Sequence, residues 1–191
     1  MTSPFDARPI VVAVAGPNGA GKSTFYEAHL RAAGLRFVNA DELARELGVD
    51  AYQAAEVAGQ LRRALVEQGE SFVFETVFSD PVGDKLEFLK LAGKKGYTVV
   101  LCFIGLDGPG LSEERVAMRV LQGGHDVPTD KLRARYPRTM ANFAQAIKEL
   151  AHVLVFDNSD MCRPFRKVAA FERGKLVEKH APLARWLPRE R

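Results

Sequence analysis

Cysteine is scarce in this chain. Cys102 and Cys162 are the two in 191 residues, and they form neither a metal-binding spacing nor a framework of bridges. Cys102 sits inside an apolar run and is expected in the core rather than in a disulfide. Long hydrophobic runs are missing too. Val99-Val-Leu-Cys-Phe-Ile104 is the longest, far short of the roughly 20 residues a membrane helix needs. After a turn-rich start from Met1 to Pro9, six apolar residues precede Gly16-Pro17, too few for the core of a signal peptide. These absences predict a soluble, cytoplasmic protein with no membrane association. Strong charge of one sign is also lacking. A net charge of +3 does not by itself argue for nucleic acid or a membrane surface. With no internal repeat, low-complexity tract or linker, 47% apolar and 27% charged residues predict one domain over 1–191.

What the chain does have begins at Gly16-Pro-Asn-Gly-Ala-Gly-Lys-Ser-Thr24. Gly16, Gly21, Lys22 and Ser23 fit the spacing G-x-x-x-x-G-K-[ST]. Gly19 and Gly21 let the backbone turn so that successive N–H groups of Asn18-Gly19-Ala20 and beyond face one anion. A helix opening at Lys22 adds its unpaired N–H groups and the positive end of its dipole. Lys22 reaches β- and γ-phosphates, and the Ser23 hydroxyl ligates magnesium. Context supports the motif. Ile10–Ala15 reads as a buried parallel strand, and Phe25 to Ala33 reads as a helix closed by Gly34. The stretch therefore predicts ATP binding with Mg2+.

Downstream, strands and helices alternate. Leu35-Arg-Phe-Val-Asn39 is a short second strand, followed by a helix Glu42 to Leu47 that Asp41 would cap. Asp50 opens a helix ending at Gly69. Ser71-Phe-Val-Phe-Glu-Thr76 is a third strand, and Asp84 to Lys94 a helix. The fourth strand runs from Tyr97 to Gly105. Gly108-Pro109-Gly110 is expected to break the chain before a helix Glu113 to Gln122 capped by Ser112. Gly123 to Pro128 interrupts helical structure, and Thr139 to Leu150 leads into a fifth strand, His152 to Phe156. Phe165 to Lys179 reads as a β-hairpin, and the tail rich in Pro and Arg is expected to pack loosely. The fold class is α/β: three layers, a mainly parallel five-stranded sheet over a core of 10–160, and a C-terminal hairpin at about 165–179.

Ligands in such sheets bind beyond the C-terminal strand ends. Asp41 follows the second strand and Glu75 ends the third, so both fall there. A kinase needs one carboxylate to take the proton of the accepting hydroxyl and another near magnesium. A plain helix cap is the competing reading of Asp41. Arg115, Arg119, Arg133, Arg135 and Arg138 cluster on a flap at about 112–138, where Gly123-Gly124 supplies a hinge. Arginines there can neutralise charge on a transferring phosphoryl group.

With these blocks the chain resembles the zeta-toxin-like branch of P-loop kinases, in its short form. The resemblance runs through Gly16–Thr24, Asn39-Ala-Asp-Glu42, Phe74-Glu-Thr-Val-Phe-Ser79, Arg119-Val-Leu-Gln-Gly-Gly-His-Asp-Val-Pro128 and Arg135-Tyr-Pro-Arg138. It implies an ATP-dependent kinase acting on a hydroxyl of a small molecule, in the toxins UDP-N-acetylglucosamine. It also implies Lys22 and Ser23 at phosphate and magnesium, Asp41 as general base, and Glu75 at the metal end. Arg119 and Arg135 would be the phosphate clamp, with Asn158 beside the adenine. An antitoxin partner is not readable from these residues. Two other classes compete: a nucleotide-driven switch, and a nucleic-acid 5′-end kinase suggested by the basic stretch Lys131 to Arg138. The chain lacks the Asn-Lys-x-Asp and Leu-Ser-Gly-Gly-Gln signatures of the first, and Tyr136 alone offers stacking for the second.

Overall fold

A computed structural model of the chain describes residues 3–123 and 127–188. Its frame is a sheet whose inner strands are apolar on both faces because helices cover both. β1 (Ile10–Ala15) is wholly buried, flanked by β3 (Phe72–Thr76) and β4 (Thr98–Gly105). β2 (Arg36–Val38) pairs outside β3, and β5 (His152–Asp157) outside β4. All four pairings are parallel, with Val11 opposite Phe72 on one side and Val99 on the other. The order β2-β3-β1-β4-β5 reverses at β1. That reversal opens a crevice beyond its C-terminal end, where the phosphate loop begins.

The C-terminal hairpin is β6 (Arg166–Glu172) and β7 (Lys175–Lys179), turning at Arg173 and Gly174 with φ of 48° and 81°. It does not stand apart from the sheet. β6 pairs antiparallel with β5, placing Phe171 opposite Val153, so the sheet grows to seven strands.

α1 (Lys22–Phe25) continues through a π-helical segment (Tyr26–Leu30) and a 3-10 turn (Arg31–Ala33). Phe25, Tyr26 and Leu30 pack on one sheet face with Val12, Val14 and Ile104. α2 (Ala40–Leu47) and α3 (Ala51–Glu67) precede β3, and α4 (Asp84–Lys94) precedes β4. α5 (Pro109–Leu121) and α6 (Thr129–Glu149) precede β5. Leu65 of α3, Leu89 of α4 and Phe143 of α6 cover the other face, against Phe72, Phe74 and Phe103. Each fully buried side chain of this size contributes about 1.5–3 kcal/mol. Cys102 is in the core as expected, its thiol pushed up to about 12 by burial, and both cysteines are free.

Four sequence expectations change. Asn39, not Asp41, caps α2, its Oδ1 accepting the Asp41 N–H at 2.8 Å. Pro109 starts α5 instead of breaking the chain, since a first-turn proline has no N–H to lose. Ser112 therefore lies inside that helix, not at its cap. α6 begins at Thr129 and carries Pro137 within it, so the basic stretch is helical. The tail is docked: Ala184 and Leu187 are buried, and Trp186 packs 5.9 Å from Phe103 and 6.2 Å from Phe143. A Cβ at Gly105 would sit 2.2 Å from the Trp186 ring.

Candidate active site

The phosphate loop is held by its neighbours on two sides. Gly16 has φ of 152°, and a Cβ there would lie 2.1 Å from the Ile104 carbonyl oxygen of β4. Gly19, at φ 75°, faces the Ser112 carbonyl oxygen of α5 at 3.0 Å from where its Cβ would be. Side chains would push the loop off β4 at the first point and off α5 at the second. From α5, the Ser112 hydroxyl donates to the Asn18 carbonyl at 2.6 Å. Beyond β5, the buried Asn158 amide donates to the Ala20 carbonyl at 2.9 Å and accepts the Phe165 N–H at 3.2 Å. Asn158 thus braces the loop, tying Ala20 to Phe165 at the start of the C-terminal hairpin.

At the head of α1 the polar groups converge on Glu75, which β3 delivers to the same sheet edge. Ser23 Oγ donates to Glu75 Oε2 at 2.7 Å, Asn39 Nδ2 donates to the same oxygen at 3.2 Å, and Lys22 Nζ lies 3.7 Å from Oε1. Lys22 also donates to the Pro17 carbonyl at 3.2 Å. Its side chain is 6% exposed. Burial pulls its pKa below the ordinary 10.5, Glu75 and Asp41 work against that shift, and Arg119 adds to it. Asp41 is exposed and faces the cleft, its side chain released from capping by Asn39.

The cleft extends from the loop between α3 and α6 with a volume of about 550 Å3. Its floor is the loop after β3. There Phe78 is buried in a left-handed conformation (φ 62°), its N–H bonded to Thr76 Oγ1 at 3.0 Å. α6 bolts this loop down. Thr139 Oγ1 donates to the Val77 carbonyl at 2.9 Å, and Asn142 Nδ2 donates to the carbonyls of Phe78 and Asp80 at 2.9 and 3.0 Å. The same helix presents Arg135 and Arg138 to the cleft, and α5 presents Arg119. The remaining arginines of the cluster face elsewhere. Arg133 forms a two-pronged, exposed pair with Glu113 at 2.8 and 3.1 Å, and Arg115 donates to the Ser159 carbonyl at 3.3 Å. Gly124, His125 and Asp126 lie outside the described residues.

Asn39, Arg62, Asp80, Thr139 and Asn142 were not singled out from the sequence, yet all shape the site. Asn39 alone left a signal, since Asn at a strand-to-helix junction is a cap. The other four act through contacts distant in the chain.

The residues present suit a magnesium nucleotide. The three loop glycines leave a cradle, Lys22 faces it with a positive charge, and Ser23 and Glu75 offer hard oxygens. Among the described residues no group of three or more His, Cys, Asp or Glu side chains could hold a metal unaided. Two oxygens fit an ion that takes its other ligands from phosphate and water. No described helix is long and apolar enough to cross a membrane.

Solved structures share this architecture. A chain of the AvrRxo1-ORF1:-ORF2 complex with ATP matches at a TM-score of 0.69 and 18% identity, over 90% of this chain. This chain spans 60% of the length of that one. The PezAT chromosomal toxin-antitoxin system of Streptococcus pneumoniae matches at 0.57 and 20% identity, covering 85% of this chain and 72% of that one. The Pnkp1/Rnl/Hen1 RNA repair complex matches at 0.56 and 14% identity, covering 89% and 50%. At such identities the likeness is one of fold: an α/β P-loop kinase fold, mostly parallel, with antiparallel strands at its C-terminal side. No curated protein matches the chain. The family does: over residues 11–150 the chain belongs to the AAA domain family, as a P-loop kinase-like domain.

Proposed function

We propose that the protein is an ATP- and magnesium-dependent kinase that moves the γ-phosphate to a hydroxyl of a small molecule. One observation carries the reading. Lys22, Ser23 and Glu75 meet at the loop, while Asp41, Arg119 and Arg135 line the same cleft. A bound magnesium ion, held by Ser23 and Glu75, would neutralise charge on the donor phosphates. The loop N–H groups and Lys22 bind the β- and γ-phosphates. Asp41 takes the proton of the acceptor hydroxyl as its oxygen bonds to the γ-phosphorus. The bond from that phosphorus to the β–γ bridging oxygen breaks, leaving ADP. Arg119 and Arg135 stabilise the charge spread over the transferring oxygens.

The sugar nucleotide suggested by the zeta-toxin resemblance is one candidate acceptor. The toxin-antitoxin pairing named for PezAT supports a protein partner of the antitoxin kind. Mass spectrometry of a metabolite extract treated with the protein and ATP should show one product heavier by a phosphate. Asp41→Asn should bind ATP within twofold of wild type and lose turnover about 10²-fold or more. Unchanged turnover would remove Asp41 as the base. Labelling of oligonucleotide 5′ ends in place of any metabolite would overturn the small-molecule acceptor.

A further inference from the structure

Arg62 of α3 lines the cleft that also holds Lys22 and Asp41. Its guanidinium lies over the rings of Phe74 and Phe88, 5.0 and 5.7 Å from their centroids. Its Nε is buried without a hydrogen-bond partner among the described residues. Burial holds its pKa down at about 10, the neighbouring Arg63 lowers it further, and Asp80 partly offsets both. Asp80 has the opposite deficiency. Its side chain is 8% exposed; its Oδ2 accepts the Lys85 N–H at 3.4 Å, and its Oδ1 is buried with no hydrogen bond among the described residues. Lys85 Nζ stands 3.9 Å from that oxygen, beyond hydrogen-bond range. Asn142 pins the Asp80 backbone, and the Lys85 N–H holds the other carboxylate oxygen.

Buried charges left without hydrogen bonds are costly and rare in folded proteins. Arg62 and Asp80 line one cleft, each with one buried atom unmatched, so a ligand entering it meets a guanidinium and a carboxylate whose hydrogen bonding is incomplete. A guanidinium matches the paired oxygens of a carboxylate or phosphate, and an ionised carboxylate accepts only from a donor. Lys85, Lys131, Arg135 and Arg138 make the same walls positive, against Asp41, Glu75 and Asp80.

We propose that Arg62 and Asp80 are the acceptor-recognition end of the cleft, Arg62 holding a carboxylate or phosphate of the acceptor and Asp80 accepting from a hydroxyl beside it. The acceptor is then a small anionic polyol, such as a hydroxy acid or a sugar phosphate. The inference rests on the kinase reading for what occupies the remainder of the cleft.

The test uses the intact protein with the loop saturated by magnesium and a non-hydrolysable ATP analogue. Inorganic phosphate and malonate are titrated separately by calorimetry. Wild type should bind at least one of them. Stronger binding of phosphate points to a phosphorylated acceptor, and stronger binding of malonate to a carboxylic one. Arg62→Met, which keeps the packing on Phe74, should weaken that binding about tenfold or more with nucleotide affinity within twofold. Arg63→Met, next in sequence but outside the cleft, should change it less than about threefold. Arg62→Lys, keeping the charge but not the fork, should fall between and serves if the Met variant does not fold. No anion binding by wild type, or equal losses in the Arg62 and Arg63 variants, would overturn the assignment. Failure to bind the nucleotide analogue would instead count against the kinase reading, because anion binding needs no turnover.

Discussion

In the proposed kinase, the donor and acceptor halves of the cleft are built by opposite strategies. Around the phosphate loop, side chains from three elements close on backbone carbonyls: Ser112 on Asn18, Asn158 on Ala20, Lys22 on Pro17. Asn18 Oδ1 is its one buried side-chain polar atom without a hydrogen bond among the described residues. In the acceptor half the floor loop is bolted by Thr139 and Asn142, but the side chains facing the cavity, Arg62 and Asp80, keep buried polar atoms open. A loop that receives the same triphosphate each cycle can be rigid by itself. A recognition surface gains selectivity by leaving unmade bonds for the right ligand to complete.

The sharpest way to break this contrast is Lys22→Met. Turnover should fall by about 10³-fold, since a buried donor aimed at the developing charge is removed. The ligand-free protein should melt no lower than wild type, because burial of that ammonium opposes folding. With the folded pKa depressed, the native state binds fewer protons than the unfolded one just below 10.5. The cost of burial is therefore present at neutral pH and relieved as pH rises through that window. A large drop in melting temperature would show Lys22 to be structural.

Asn142→Ala should act on the acceptor half alone. It leaves the Phe78 and Asp80 carbonyls without partners, at about 1–3 kcal/mol. In steady-state kinetics the KM for the acceptor should rise roughly tenfold with KM for ATP unchanged. A rise in both would mean that the two halves are one unit.

Asn158→Ala separates a brace from a base-reading residue. As a brace of Ala20 it should weaken ATP, GTP and pyrophosphate alike, each by about fivefold, within the worth of one hydrogen bond. Weakening of ATP alone would show an adenine contact instead.

The smallest effect concerns the tail. Burial works against ionisation of Asp157, but hydrogen bonds from Ser159, Trp186 and Arg166 outweigh it and hold the carboxyl below its ordinary 3.8. A depressed carboxylate stabilises above its unfolded pKa and loses that contribution as pH falls through the folded one. Trp186 is the single tryptophan, so its fluorescence should shift to the red in strong acid. Asp157→Asn should lower stability at pH 7 by about 1–2 kcal/mol, read by the same signal. An unshifted spectrum in acid would leave the tail held by its apolar contacts alone.

Local pattern carried most of the fold into view. Ile10–Ala15, Phe72–Thr76 and Thr98–Gly105 announce buried parallel strands by unbroken apolar runs, and Gly16 to Ser23 announces the loop by spacing. Proline misled once. Pro109 reads as a stop yet sits in a first turn, and the helix expected from Thr139 begins at Thr129 with Pro137 inside it, where packing of Leu132, Thr139 and Phe143 overrides the lost hydrogen bond. The acceptor half stayed hidden because its parts are remote in sequence. Arg62 on α3 means nothing until Phe74 lies beneath it, and Asn142 nothing until the loop after β3 folds against α6. The hairpin was legible as a hairpin, but not its pairing with β5, because register between distant strands is fixed by tertiary contact.

One feature of the sheet sets where the gene can be cut. The segment shared with the family stops at residue 150, and β5 begins at His152. A fragment of residues 11–150 would present the whole edge of β4, from Val100 to Gly105, as unpaired backbone, and would uncover Phe103 where Trp186 now shields it. Such a bare edge is a template for strand addition by another chain. Expressed alone, residues 11–150 should aggregate more readily than a chain that carries β5, the hairpin and the docked tail to Leu187.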